Sequence, residues 1–177
     1  WDICNYTMGV LKEKNMSVIY VTHDVREALR VSDRVMVINK WKLVQIDTPE
    51  KIYNKPKSKF VAKLLGEVNE INQNSNNLGQ VKTPFGLVNC KKCTNGNKSC
   101  KNKKHCCILR PEDITLGKTG IKGVVKEKYF LGSSWEYNIL LEDKKQILKV
   151  TSCKESYSKN QIVSLSVNLD NILIFEE

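Results

Sequence analysis

Apolar positions follow two rhythms along the chain, and the rhythm changes near Gly66. In the first part, Ile3, Tyr6, Val10 and Leu11 recur at the spacing of an amphipathic helix over residues 3–13, and Lys14-Asn15 breaks it. Residues 17–22 are β-branched, aromatic and uncharged, which predicts a strand buried on both faces, as in a parallel sheet covered by helices. Asp24 stands at the N-cap position of a short helix over residues 25–31. Two further apolar strands follow at 34–39 and 41–46, joined by a tight turn at Asn39-Lys40. Thr48-Pro49-Glu50 then opens a helix, with Thr48 as the cap and Pro49 in its first turn, and Lys55-Pro56 ends it. Ser58 caps one more helix, whose apolar face carries Phe60, Val61, Leu64 and Leu65, before Gly66 stops it.

Beyond Gly66 the helical spacing disappears. Residues 72–77 are Asn-rich and read as a loop or a short linker. Short β-like segments come next, at 80–82, 86–90, 107–110, 121–130, 134–141, 146–150, 162–167 and 171–175. Strands of this length and spacing predict a small barrel or sandwich. The expected organisation is therefore an α/β fragment over residues 1–66 and an all-β domain over residues 67–177.

Composition narrows the class. The 177 residues are 41% hydrophobic and 27% charged, values of a globular protein rather than a disordered one. No apolar run approaches the ~20 residues that span a bilayer. No signal-peptide pattern opens the chain, so a cytoplasmic setting is expected, and the missing initiator Met fits a fragment. The net charge of +10 is compatible with nucleic acid or an anionic membrane surface. Dense basic clustering, however, is confined to residues 90–107, where six lysines stand without one aromatic ring to stack a base. A lysine-rich solvated surface is the better reading, and no nucleic-acid partner is expected.

Several motifs in chain order bear a family resemblance. Val21-Thr22-His23-Asp24, then Glu27-Ala28-Leu29, then Ser32-Asp33-Arg34-Val35, resembles the switch-histidine region of ABC ATPases. The run from Gln45 through Asp47-Thr48-Pro49-Glu50 to Lys55-Pro56 resembles the segment that follows in importer ATPases, and Phe60-Val61-Ala62-Lys63-Leu64-Leu65-Gly66 continues it. Trp41 and Asp47 occupy positions where that family usually has Gly. Further on, Leu109-Arg110-Pro111-Glu112-Asp113-Ile114 resembles the TOBE module appended to such ATPases, a small OB-like barrel. The resemblance implies the C-terminal portion of an ABC-importer ATPase subunit: the tail of a P-loop ATPase domain, then a TOBE-like regulatory domain.

The resemblance assigns His23 as the catalytic switch histidine, which hydrogen-bonds the γ-phosphate and the attacking water in the intact protein. An imidazole at a strand end suits that task, because it donates to a phosphate oxygen and titrates near neutrality. It also implies ATP and Mg²⁺ as cofactors of the intact protein. The chain contains no G-x-x-x-x-G-K-[ST] loop, no Leu-Ser-Gly-Gly-Gln signature and no apolar strand ending in Asp-Glu. Alone it is expected neither to bind ATP well nor to hydrolyse it. Implied partners are membrane permease subunits, a second ATPase subunit in a homodimer and, indirectly, an extracytoplasmic solute-binding protein, at the cytoplasmic face of the membrane. Related systems carry polyamines, iron, inorganic anions or sugars. Asp33 reads as a turn residue and Glu27 as part of a solvated helix face.

Seven cysteines are unusual for a cytosolic chain, and five of them lie at Cys90, Cys93, Cys100, Cys106 and Cys107. This cluster looks like an insertion between two barrel strands. The Cys90-x₂-Cys93 spacing lets two thiolates reach one metal from a single turn, and the later thiols, or His105, complete a tetrahedral site for Zn²⁺ or, second, an iron–sulfur cluster. The competing reading is a flexible Lys/Asn/Gly loop with free or redox-paired thiols. A stand-alone module sensing a metal or an oxyanion is the alternative to the transporter reading, with lysines and barrel-edge amides holding the anion.

Overall fold

The structure is a computed structural model and describes residues 2–76, 79–89, 103–142, 146–153 and 157–176. The chain divides into two compact units, Trp1–Gly66 and Glu67–Glu177.

The first unit opens with helix α1 (Asp2–Glu13). Residues 17–22 then run without strand pairing, and Ile19 and Val21 are 86% and 88% exposed. The buried strand expected here is absent, because a strand covered on both faces needs ladder partners on each side and none lies among the described residues. Helix α2 (Val25–Val31) falls where the sequence places it, and Asp24 caps it through hydrogen bonds from the amides of Arg26 and Glu27. Strands β1 (Val35–Asn39) and β2 (Lys42–Asp47) form an antiparallel hairpin. Its turn residues are Lys40 and Trp41, one place later than expected, both with positive φ (47° and 62°). Trp41 thus holds a left-handed conformation that glycine adopts without cost, with its ring fully exposed. Asp47 has no such φ, so the second departure from the glycine pattern costs nothing here.

Helix α3 (Pro49–Asn54) starts as expected, except that Thr48 makes no side-chain capping bond; the Thr48 amide instead donates to the Asp47 carboxylate. Helix α4 (Lys59–Leu64) is capped by Ser58, which accepts from the Val61 amide. Its buried face is Val61 and Ala62, followed by Leu65, whereas Phe60 and Leu64 are exposed, contrary to the predicted stripe. In six residues only a narrow stripe can face one neighbour. Val35, Val37, Ile52, Val61 and Leu65 form this unit's small core. Buried Gln45 ties β2 to the chain beyond α3, donating to the Lys55 carbonyl and accepting from the Lys57 amide.

The second unit is built of short strands. Of the Asn-rich stretch 72–77 read as a loop or a short linker, residues 72–74 end strand β3 (Asn69–Asn74). It is followed by the hairpin β4 (Gln80–Thr83) and β5 (Gly86–Asn89), then β6 (Lys104–Leu109). A 3₁₀ turn, Pro111–Asp113, leads into β7 (Ile114–Gly117), which the sequence pattern did not reveal. Strands β8 (Ile121–Phe130), β9 (Trp135–Leu141), β10 (Ile147–Ser152), β11 (Ile162–Val167) and β12 (Leu173–Glu176) lie close to their expected positions. Strand order is β10-β9-β8-β11-β7 in the larger sheet and β12-β6-β3 in the smaller, with neighbouring strands antiparallel throughout.

The larger sheet curls, so that its edge strands β7 and β10 approach each other and the Pro111–Asp113 turn packs on β10. A bulge in β8 between Val125 and Glu127 reverses the side-chain alternation. Before it Val125 faces the core; after it Lys128 and Phe130 lie opposite Tyr137 and Trp135. Gly123 permits close packing: a Cβ there would lie 2.6 Å from Ile139 Cγ2. Ile71, Cys107, Leu109, Val125, Tyr137, Ile139, Leu148 and Leu165 are among the residues of the one core that both sheets share. The sheets are also stitched by Asn69, whose amide donates to the Lys149 carbonyl (2.8 Å) and accepts from the Lys149 amide (2.7 Å).

Candidate functional site

His23 sits between two anchored residues. The Thr22 hydroxyl donates to Glu27 Oε2 (3.0 Å) and accepts from the Asp24 amide (3.0 Å). Asp24 Oδ1 accepts from the amides of Arg26 (2.8 Å) and Glu27 (3.1 Å), fixing the first turn of α2. The Tyr20 hydroxyl donates to the same Glu27 Oε2 at 2.7 Å. Residues 20–27 are thus closed into a ring of hydrogen bonds. The His23 side chain is exposed and makes no hydrogen bond to any described residue. A rigid turn therefore presents an imidazole with both nitrogens available to an incoming group. The sequence pointed to His23 and to the Asp24 cap; it did not reveal the part played by Glu27, which had read as an ordinary solvated residue.

The cysteine cluster divides. Cys90, Cys93 and Cys100 lie outside the described residues. Cys106 and Cys107 belong not to a loop but to β6, as consecutive residues on opposite faces. Cys107 is buried in the core; Cys106 lies on the other side, its Sγ 3.7 Å from Glu70 Oε2. From a regular strand the two thiols cannot converge on one ion. Among the described residues no group of three or more His, Cys, Asp or Glu side chains is arranged to hold a metal. His105 is fully buried on the Cys107 side of β6, and neither ring nitrogen has a hydrogen-bond partner. It borders an open recess of about 290 Å³ lined also by Asn72, Gln73, Asn74 and Lys104.

Arg110-Pro111-Glu112 proves to be structural. Arg110 is buried and donates to the Glu67 carbonyl (3.3 Å), while Pro111 opens the 3₁₀ turn. Asp113 in that turn accepts from the Asn171 side chain (2.8 Å), and its burial pushes its carboxyl above the usual range.

Residues 107–175, within the β unit, match the family model of the TOBE domain. The chain is 32% identical over 173 residues to the spermidine/putrescine import ATP-binding protein PotA of the Aster yellows witches'-broom phytoplasma, covering 94% of this chain and 39% of that protein. The PotA proteins of Mesoplasma florum (34% over 164 residues, 89% and 45% covered) and Acetivibrio thermocellus (33% over 169 residues, 94% and 46%) are similar in the same way. The chain is thus similar over most of its length to import ATP-binding proteins and carries a TOBE match, and it spans less than half the length of these relatives. In shape it also resembles the molybdate-binding protein ModG, with a TM-score of 0.48, 10% identity, and 60% of this chain and 94% of that one covered.

Proposed function

We propose that this chain is the C-terminal, regulatory part of the ATP-hydrolysing subunit of an ABC importer, and that polyamines are the transported solute. The observation that carries the proposal is the alignment over 94% of the chain with spermidine/putrescine import subunits, together with a TOBE domain at residues 107–175. In this reading residues 1–66 are the end of the ATPase domain and residues 67–177 an OB-like barrel. The exposed run at 17–22 and the outward Met36, Ile38 and Leu43 of the first hairpin support the first assignment, since they are apolar surfaces suited to more of an α/β core.

His23 then serves as the γ-phosphate contact. A bound ATP with Mg²⁺ supplies the phosphoryl group to be transferred to water. This chain's contribution is a pre-positioned imidazole that donates to a phosphate oxygen and orients the water. Permease subunits at the cytoplasmic membrane face, a second ATPase subunit and, through the permease, a solute-binding protein complete the assembly. Among the described residues no helix is long and apolar enough to cross a membrane. Zn²⁺ or iron–sulfur binding would use Cys90, Cys93 and Cys100 with at most one of Cys106 and Cys107, and elemental analysis of the purified protein tests it.

The deciding experiment is steady-state ATP hydrolysis by the longer subunit carrying this segment. The His23→Ala variant should lose at least about a hundredfold in kcat while retaining nucleotide binding. Hydrolysis within threefold of the parent would remove His23 from the reaction. Uptake of labelled spermidine against sulfate and maltose tests the substrate class.

A further inference from the structure

The geometry points to Glu27 as the residue that positions His23. The inference rests on the functional reading above only for what the histidine does, not for how it is held. Residues 20–22 belong to no helix or paired strand; Tyr20 and Thr22 both reach α2, while Val21 is 88% exposed. Both hydroxyls meet one atom, Glu27 Oε2, at 2.7 and 3.0 Å. Glu27 lies on α2, a seven-residue helix whose Val25 and Leu29 pack against the unit's small core from the opposite side, so apolar packing does not reach the joint with the preceding chain.

The carboxylate supplies what packing does not. It is acceptor-only, and one oxygen with two lone pairs receives both donors. The Glu27 backbone amide is at the same time held by Asp24 Oδ1. One residue therefore fastens the chain on both sides of His23: the incoming segment through its side chain, the outgoing helix through its amide. Without the carboxylate the Thr22 hydroxyl loses its acceptor, and the Asp24 amide loses a fixed partner. The turn keeps its helix cap but not its approach, and the imidazole samples many directions instead of one. Glu27 is thus a positioning residue, acting on phosphate through His23 and touching no substrate itself.

The test uses the 177-residue chain, with ¹⁵N relaxation and fast amide exchange measured by NMR for the parent, Glu27→Ala and Glu27→Gln. In Glu27→Ala, exchange at the Asp24 amide should rise about fivefold and the heteronuclear NOE at His23 should fall, as expected for loss of roughly one hydrogen bond's net stability. Glu27→Gln, whose amide oxygen still accepts both hydroxyls, should stay within twofold of the parent. Exchange at the core amides of Ile52 and Val61 should be unchanged in both. Unchanged Asp24 exchange in Glu27→Ala would overturn the proposal. So would equal loss of protection at Ile52 and Val61, or a Glu27→Gln variant as mobile as Glu27→Ala. No nucleotide is present, so a His23 with no part in hydrolysis would leave this result standing, and the two failures are told apart.

Discussion

Asn69 offers the sharpest test of how the β domain is held together. Its side chain is a two-way clasp: it gives a hydrogen bond to the Lys149 carbonyl and takes one from the Lys149 amide. Lys149 lies in β10, the edge of the larger sheet, and Asn69 begins β3, the edge of the smaller. The side chain thus stands in for one rung of a ladder that no strand completes. Asn69→Ala removes two bonds worth about 1 kcal/mol net each, and leaves the Lys149 amide and carbonyl without their partners where Asn69 was 6% exposed, a further cost of about 1–2 kcal/mol. The total is about 3–4 kcal/mol, or a fall of roughly 10–15 °C in the melting temperature of a domain this size. Asn69→Asp keeps the acceptor but sets an oxygen against the Lys149 carbonyl, so it should rescue little. The assay is urea unfolding in a Trp1→Phe, Trp41→Phe background, where Trp135 alone reports on the β domain. A loss under 1 kcal/mol for Asn69→Ala would refute the reasoning and show that water replaces the clasp without cost.

Three further outcomes are expected. Asp113 titrates above its ordinary value because of burial, outweighing the lowering by its Asn171 bond, with Glu112 adding to the rise and Arg110 opposing it. Its contribution to stability is therefore present below the unfolded-state value of about 3.9 and is lost as pH rises through the higher folded value. Asp113→Asn, which retains the oxygen facing Asn171, should gain a fraction of a kcal/mol at pH 7 and nothing at pH 3 in denaturant titrations, given the partial exposure of the site. Gly120→Ala should cost about 2–4 kcal/mol by the same assay, since φ is +126° and the new Cβ would lie 2.2 Å from the Leu165 carbonyl oxygen of β11. Glu67→Ala should cost under about 0.5 kcal/mol, because its 2.9 Å ion pair with Lys149 is open to solvent. The Glu67 hydrogen bond raises the Lys149 pKa, so what stability the pair gives is present at neutral pH and disappears as pH climbs above the ordinary lysine value.

What the sequence disclosed, and what it withheld, follows the range of the interactions. Helix α2 and its Asp24 cap were legible because a cap and its helix lie within four residues. Strands β8 and β11 were legible from local β propensity and flanking turns. β3 was not, because only Ile71 among residues 69–74 is an apolar residue facing the core, and buried Asn69 is satisfied by a backbone 80 residues away. The run at 17–22 shows the reverse case: local composition says strand, yet a ladder needs neighbours that no local pattern supplies. At the candidate site, the His23 motif was visible, but the convergence of Tyr20 and Thr22 on Glu27 depends on the angle between the incoming segment and a helix. The cysteine spacing suggested one metal centre, and spacing alone could not show that Cys106 and Cys107 sit in a strand that sends them to opposite faces.

Strand β6 has β3 on one side and β12 on the other. These flanking strands are about a hundred residues apart in the chain. During synthesis at about 5–20 residues per second, β3 must wait roughly 5–20 s before β12 exists to close the far side of the sheet. From its own synthesis, about 65 residues or roughly 3–13 s before β12, β6 offers a bare edge, and the core waits for Ile172 and Ile174. Whenever β12 is missing or displaced, that edge of β6 is an adhesive strand open to aggregation or proteolysis.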